Sequence, residues 1–188
     1  MPSVLTYVDE LLARQIATGL IGSEVQLSKR SGSTVGINFK VLLQRNQGVE
    51  TATTTRISDL LPELVAEALN EAIRERVNDL GIARSRLVAG SPGAYAPGTP
   101  VVVSNARLSI REKEPKSVLA GEDCVRYRLI VNEYFVHAFG PHNAETLLDG
   151  MADQPIDVAG ILRYTPAYPV PGAVSLNLGL RICAIWLR

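Results

Sequence analysis

The chain has 188 residues, enough for one domain whose apolar core is stable without disulfides or a structural metal. Lys and Arg together number 19, as do Asp and Glu, so a formal net charge of +0 excludes an overall polycation that binds nucleic acid through charge alone. Aromatic residues make up 5% of the chain, which disfavours a base-stacking surface for single-stranded nucleic acid.

The first half of the chain is predicted to contain two helices, a hairpin and a loop. Apolar residues at helical spacing predict an amphipathic helix over residues 3–18. Alternating apolar residues on both sides of a Ser-Gly-Ser turn predict a hairpin over residues 23–45, and the threonine-rich segment 46–57 is predicted to be a loop or arm. The clearest pattern is a helix over residues 59–80, with Pro62 in its first turn.

The second half is predicted to be mostly extended. Three prolines and three glycines make residues 90–100 an irregular surface loop. Alternation and turn residues predict the following elements: a strand over 101–111, an exposed turn over 112–122, a long strand over 123–139, a short helix over 144–151, a short strand over 161–164 and a closing strand over 174–188. Because regular β-α-β alternation is absent, we expect a single α+β domain over residues 1–188. It should contain a mainly antiparallel sheet of five or six strands with two or three helices packed on one face.

The sequence lacks the local motifs of several enzyme classes. The only segment that resembles a nucleophile turn surrounds Ser91, where a proline follows the serine and no helix pattern continues. No glycine-rich phosphate-binding motif occurs. His137 and His142 could bind zinc together with Asp149 or Glu133, but hydrogen-bonded or solvated histidines fit the pattern better. We therefore expect no enzyme activity, no metal site and no cofactor.

The two cysteines and the apolar segments indicate the compartment. Cys124 and Cys183 lie in predicted strands without metal-type spacing, which favours two buried free thiols over a disulfide between neighbouring strands. No apolar run approaches the roughly 20 residues of a membrane helix. The N-terminus also lacks the basic start and apolar run of a signal peptide, so we expect synthesis in the cytoplasm and no membrane partner.

Arginines recur along two predicted strands. Arg126 and Arg128 share one face of the long strand, and Arg107 and Arg111 share one face of the strand before it. If the two strands pair, the four guanidinium groups line one face of the sheet. That face is either a solvated surface, or an interface between subunits or the lining of a pore.

Three segments resemble the tail-terminator or cap proteins of phage tails and contractile injection systems. The first is the N-terminal helix followed by residues 35–46 (VGINFKVLLQRN). The second is the strand 127–135 (YRLIVNEYF) that enters residues 139–151 (FGPHNAETLLDGM), and the third is the closing strand that ends near Trp186. The resemblance covers residues 3–46 and 125–188.

This resemblance implies a structural subunit without catalytic residues. It implies a ring, usually of six copies, that stops growth of the tail tube and sheath and joins the tail to the neck or connector, with non-specific passage of DNA through the ring. The protein would assemble in the host cytoplasm and reside in the tail or neck of a virion, or in an injection particle. Two alternatives remain open: another neck connector or tail-completion protein, and an oligomeric binding module for an unknown ligand.

Overall fold

The computed structural model describes residues 4–29, 35–36, 52–75, 97–119, 122–131, 134–164 and 178–188. The strands within these residues are β1 (Val4–Val8), β2 (Glu24–Lys29), β3 (Val35–Gly36), β4 (Ala52–Arg56), β5 (Pro100–Leu119), β6 (Glu122–Val131), β7 (Tyr134–Pro141), β8 (Ile156–Tyr164) and β9 (Leu178–Leu187). The helices are α1 (Glu10–Ile21), α2 (Pro62–Glu75) and α3 (Glu145–Gly150), with 3-10 turns before α2 and α3.

Strands β5 to β9 close into a five-stranded barrel. The order around the barrel is β5-β6-β7-β9-β8, and β8 pairs back onto β5. All these pairs are antiparallel except β7 with β9, which are parallel. A single helix, α3, separates the third and fourth barrel strands. We identify this order as that of the OB-fold, a five-stranded Greek-key barrel.

The interior of the barrel holds the larger part of the core. Side chains alternate between the interior and the exterior along each strand. The inward residues include Leu108, Val125, Tyr127, Leu129, Val158, Leu180 and Ile182, all fully buried. Closure of the sheet leaves no open edge between barrel strands, so this core is stabilised by contacts from every side.

The long strand β5 contributes to two parts of the barrel wall. Its first half pairs with β8 through Val101 and Val103, and its second half pairs with β6. The change of partner coincides with an irregularity at Asn105, whose φ of 54° lies in the left-handed region that Asn tolerates better than most residues. This bend lets one strand cover two sides of the barrel.

Helix α3 closes one end of the barrel. Leu148 and Met151 are buried among the interior side chains. A Cβ atom at Gly140 on β7 would collide with the end of the Leu148 side chain. Glycine at this position therefore permits the close approach of strand and helix.

Helices α1 and α2 pack on each other and on the outside of the barrel, α1 against β9 and α2 against β1 and the first half of β5. Their buried residues form a second core with Val102, Ala159 and Trp186, which point outward from the barrel. The backbone N–H of Leu12 donates to the Asp9 side chain at the start of α1. Trp186 donates its indole N–H to Glu67 of α2 at 2.7 Å, which fixes this helix to the last strand.

The described strands outside the barrel extend the fold at two places. Strand β1 pairs antiparallel with β9. Strands β3, β2 and β4 form a separate antiparallel sheet in that order. The pairing of β2 with β3 agrees with the predicted hairpin over 23–45, although residues 30–34 and 37–45 lie outside the described residues.

The predicted α+β class is confirmed, and the two long helices lie on one face. The sequence did not predict that the sheet closes into a barrel or that it contains one parallel pair. It also did not predict that α3 covers one end of the barrel. The described part of the predicted helix 59–80 is α2, which begins at Pro62 after a 3-10 turn. Residues 76–96 and 165–177, with their predicted loop and strand starts, lie outside the described residues.

Several boundaries predicted from the sequence were wrong. Residues 4–8 form a strand and not the first turns of a helix, because β-branched residues pair well with β9. The threonines of the predicted loop 46–57 form β4 for the same reason. The predicted turn 112–122 is mostly strand, since β5 continues to Leu119. The predicted strand 123–139 is two antiparallel strands, β6 and β7.

Candidate assembly surface

The register of β5 and β6 places Arg107 and Arg128 on the outside of the barrel. Ser109 lies opposite Arg128, and Arg107 lies opposite Ile130. Residues directly opposite each other in an antiparallel pair project from the same face. Since Leu108 and Leu129 occupy the interior, Arg107 and Arg128 lie on the exterior face.

The four arginines differ in their exposure. Arg107 and Arg111 are exposed and Arg128 is half-buried. Arg126 is buried and forms an ion pair with Glu114, the residue opposite it on β5. Arg126 therefore adds no exposed charge to this face, because Glu114 and the neighbouring strands cover it. Arg107 supplies exposed positive charge on this surface, and Arg111, which is also exposed, lies where the register of β5 with β6 shifts.

Strand β1 is an edge strand within the part of the chain that the structure describes. It lies at the end of its sheet, and no strand among the described residues pairs with its outer side. Val4 on this strand is 63% exposed, and Leu11, three residues beyond the strand in α1, is 70% exposed. An open edge presents unpaired backbone N–H and C=O groups that a strand from another chain can complete.

A buried carboxylate joins α2 to the barrel. Asp157 accepts hydrogen bonds from the backbone N–H of Asn105 at 2.8 Å and from Nε of Arg188 at 2.7 Å. Arg74 of α2 reaches the same carboxylate at 3.4 Å and donates to the Ser104 hydroxyl at 2.9 Å. A charge removed from water is stable only with such partners, so this cluster fixes α2 to the barrel.

A second polar cluster fixes α3 across the end of the barrel. Lys113 Nζ lies 2.8 Å from Glu145 and 2.6 Å from Asp149, and the hydroxyl of Tyr127 donates to Asp149 at 3.0 Å. These hydrogen bonds, to Asp149 first and then to Glu145, raise the pKa of Lys113. Burial, and then the hydrogen bond to Asp149, raise the pKa of Tyr127. Both groups keep their protons, and the cluster holds β5 to α3.

The cysteines and histidines occupy separate places. Cys124 and Cys183 are both buried and free, as predicted. Burial raises the pKa of Cys183, which keeps it an unreactive thiol. His137 lies within β7 and His142 in the 3-10 turn before α3. Within the described ranges, no group of three or more His, Cys, Asp or Glu side chains is arranged to hold a metal ion.

No protein-family model and no curated protein sequence matches the chain. In the part of the chain that the structure describes, no helix has the length and apolar character needed to cross a membrane.

Proposed function

We propose that this protein is a structural subunit of a phage tail or of a phage-like contractile injection particle. A ring of copies, six by resemblance to tail-terminator proteins, closes the end of the tail tube and sheath and joins it to the neck. The subunit performs no chemistry, and DNA passes through the ring without sequence-specific contacts. The particle assembles in the host cytoplasm.

The outer side of β1, which no other described strand pairs with, is the observation that carries this proposal. A monomeric protein usually protects such an edge with charged residues, proline or a covering segment. Here the edge carries the exposed Val4, and the exposed Leu11 follows it on α1. These features suit a permanent contact with another protein, and we assign the edge to the tail-tube subunit below the ring.

The charge balance and the polar clusters support the same proposal. A net charge of +0 provides little repulsion between copies, which favours association. The buried polar residues described above satisfy one another and join elements of the fold. They therefore stabilise a rigid building block.

Growth of the tail tube in vitro tests the proposal. Tail-tube protein of the same particle is polymerised with and without this protein, and tube lengths are measured by negative-stain electron microscopy. We expect shorter tubes, each with additional density at one end. Tubes of unchanged length with bare ends, at tens of micromolar of added protein, would contradict the assignment.

A further inference from the structure

A row of basic side chains crosses four neighbouring strands of the barrel. Arg128 on β6 pairs with His137 on β7. Gly179 on β9 pairs with His137 on one side and with Arg163 of β8 on the other. Neighbouring strands are about 4.8 Å apart, so the row from Arg128 to Arg163 extends roughly 14 Å across the sheet.

The members of this row point away from the barrel interior. Their neighbours along the strands are interior residues: Leu129, Ala138, Leu180 and Leu162. Alternation along a strand therefore turns Arg128, His137 and Arg163 outward. Arg107 also points outward from β5, on the diagonal from Arg128 across the strand pair. Arg107 is exposed and the other three are partly exposed. We name these residues the basic band: Arg107, Arg128, His137 and Arg163.

Positive charge is concentrated locally at the basic band. The row from β6 to β8 contains no carboxylate. The next outward row contains Arg126 and Arg181, and each of these has an acidic partner. Glu114 pairs with Arg126, and Asp9 lies 3.6 Å from Arg181. The adjacent row is therefore balanced, and a formal net charge of +0 conceals an excess of positive charge on this side of the barrel.

We propose that the basic band binds the phosphate backbone of duplex DNA and faces the channel of the ring. The inference rests on the proposed function, whose channel it supplies with a lining. Guanidinium groups suit phosphate because they stay charged and donate several hydrogen bonds in a fixed plane. Contacts of this kind do not depend on base sequence, as passage of DNA through a ring requires.

The residue types of the band favour contact with the backbone over contact with the bases. Barrels that bind single strands stack the bases on accessible aromatic rings. Phe139, the outward aromatic residue of β7 next to this row, is fully buried and offers no such ring. The barrel fold alone does not identify a ligand, since one fold serves many functions. The charges of the band therefore carry the inference.

Substitutions that each remove one positive charge test the contact. Arg107→Gln and Arg163→Gln change the two ends of the band. Arg56→Gln is the matched control, because Arg56 is exposed on β4, in the separate three-stranded sheet outside the barrel. Thermal unfolding followed by circular dichroism checks that each variant is folded.

Fluorescence anisotropy of a labelled duplex of mixed sequence measures binding as NaCl rises from about 50 mM to about 200 mM. We expect each band variant to bind at least about threefold more weakly than the unsubstituted chain at about 100 mM NaCl. Each should also reduce the slope of log K against log NaCl concentration by about 0.9, because one phosphate contact fewer releases fewer counterions. Arg56→Gln should leave both quantities unchanged. A purely structural role of the arginines would not alter the salt slope.

Failure of the inference can be distinguished from failure of the proposed function. If neither duplex nor single-stranded DNA binds at about 50 mM NaCl and tens of micromolar protein, the band is not a DNA surface. Capping of tail tubes then decides separately whether the proposed function stands. If the band binds duplex as expected and tubes stay uncapped, the DNA contact stands and its place in a ring is overturned.

Three further results would contradict the assignment of the partner or the surface. If Arg56→Gln lowers affinity and salt slope as much as the band variants do, the contact lies elsewhere. If an oligothymidine of about 20 nucleotides binds at least about tenfold more tightly than the duplex, the surface is a single-strand site. If polyglutamate displaces the duplex at an equal concentration of charge, and binds the band variants more weakly, the partner is an acidic protein.

Discussion

Four side chains with raised pKa values make the stability of this fold depend on pH. Burial is the main cause that raises the pKa of Tyr7, Tyr127 and Cys183, and hydrogen bonds to two carboxylates raise that of Lys113. All four groups therefore bind their protons more tightly in the folded protein than in the unfolded chain. Their contribution to stability is complete below their ordinary pKa values and is lost as the pH rises above them.

We predict that the free energy of unfolding falls as the pH rises above about 9, and falls more steeply above about 10, where unfolded cysteine and then tyrosine lose their protons. Tyr127→Phe removes one of these groups together with the hydrogen bond to Asp149. The variant should be less stable by about 1 kcal/mol at pH 8. Its stability should then decline less steeply between pH 9.5 and pH 11 than that of the unsubstituted chain.

Urea unfolding of both proteins across this pH range measures the effect. Equal pH dependence in the two proteins would show that Tyr127 titrates alike in the folded and unfolded states, contrary to its burial in the barrel. A rise in stability with pH would contradict the direction of all four pKa shifts.

Among the elements, the edge strand β1 is the one whose proposed contact with the tail tube can be tested by a single substitution. Val4→Lys places a charge on the open edge, a device that natural proteins use to prevent strand addition. Because Val4 is 63% exposed, we expect the variant to fold normally. We expect at least about tenfold more of the variant than of the unsubstituted chain to be needed to shorten tail tubes to the same length.

The matched control for this variant is Leu147→Lys. It makes the same aliphatic-to-lysine change at an exposed site on α3, away from β1. This control should cap tubes normally. Equal capping by both variants would remove β1 from the contact, and equal loss in both would indicate a general effect of added charge.

The sequence predicted element types better than element boundaries. Long periodic segments such as α2 were recognisable because tertiary contacts and local propensity favour the same structure. Residues 4–8 form a strand by pairing with β9, which is distant along the chain. The threonines of β4 form a strand by pairing with β2, whose own pattern is locally ambiguous. Local sequence does not identify either partner, so both segments were misassigned.

Two features of the barrel gave no local signal. The alternation of apolar residues continues from β6 into β7, so the reversal between them was hidden within one predicted strand. In β9, Cys183 has no partner in the pairing with β8, and this bulge sends Ile182 and Ile185 inward and Ala184 outward. Simple alternation along the predicted closing strand therefore could not show which of its final residues point into the barrel.

Of the candidate site, the sequence predicted the shared face of Arg107 and Arg128 because strand pairing preserves side-chain alternation. Burial of Arg126 by Glu114 could not be predicted, since the register of β5 and β6 shifts between Ser109 and Glu114.

For the whole molecule, the central claim is that copies of this chain form a ring. The most direct test is the mass of the purified protein in solution, measured by light scattering after size exclusion, alone and with tail-tube protein. The account predicts a mass of roughly six 20.3-kDa subunits, or a monomer that becomes such a ring when tube protein is added. A 20.3-kDa monomer that stays monomeric at tens of micromolar, with or without tube protein, would contradict it.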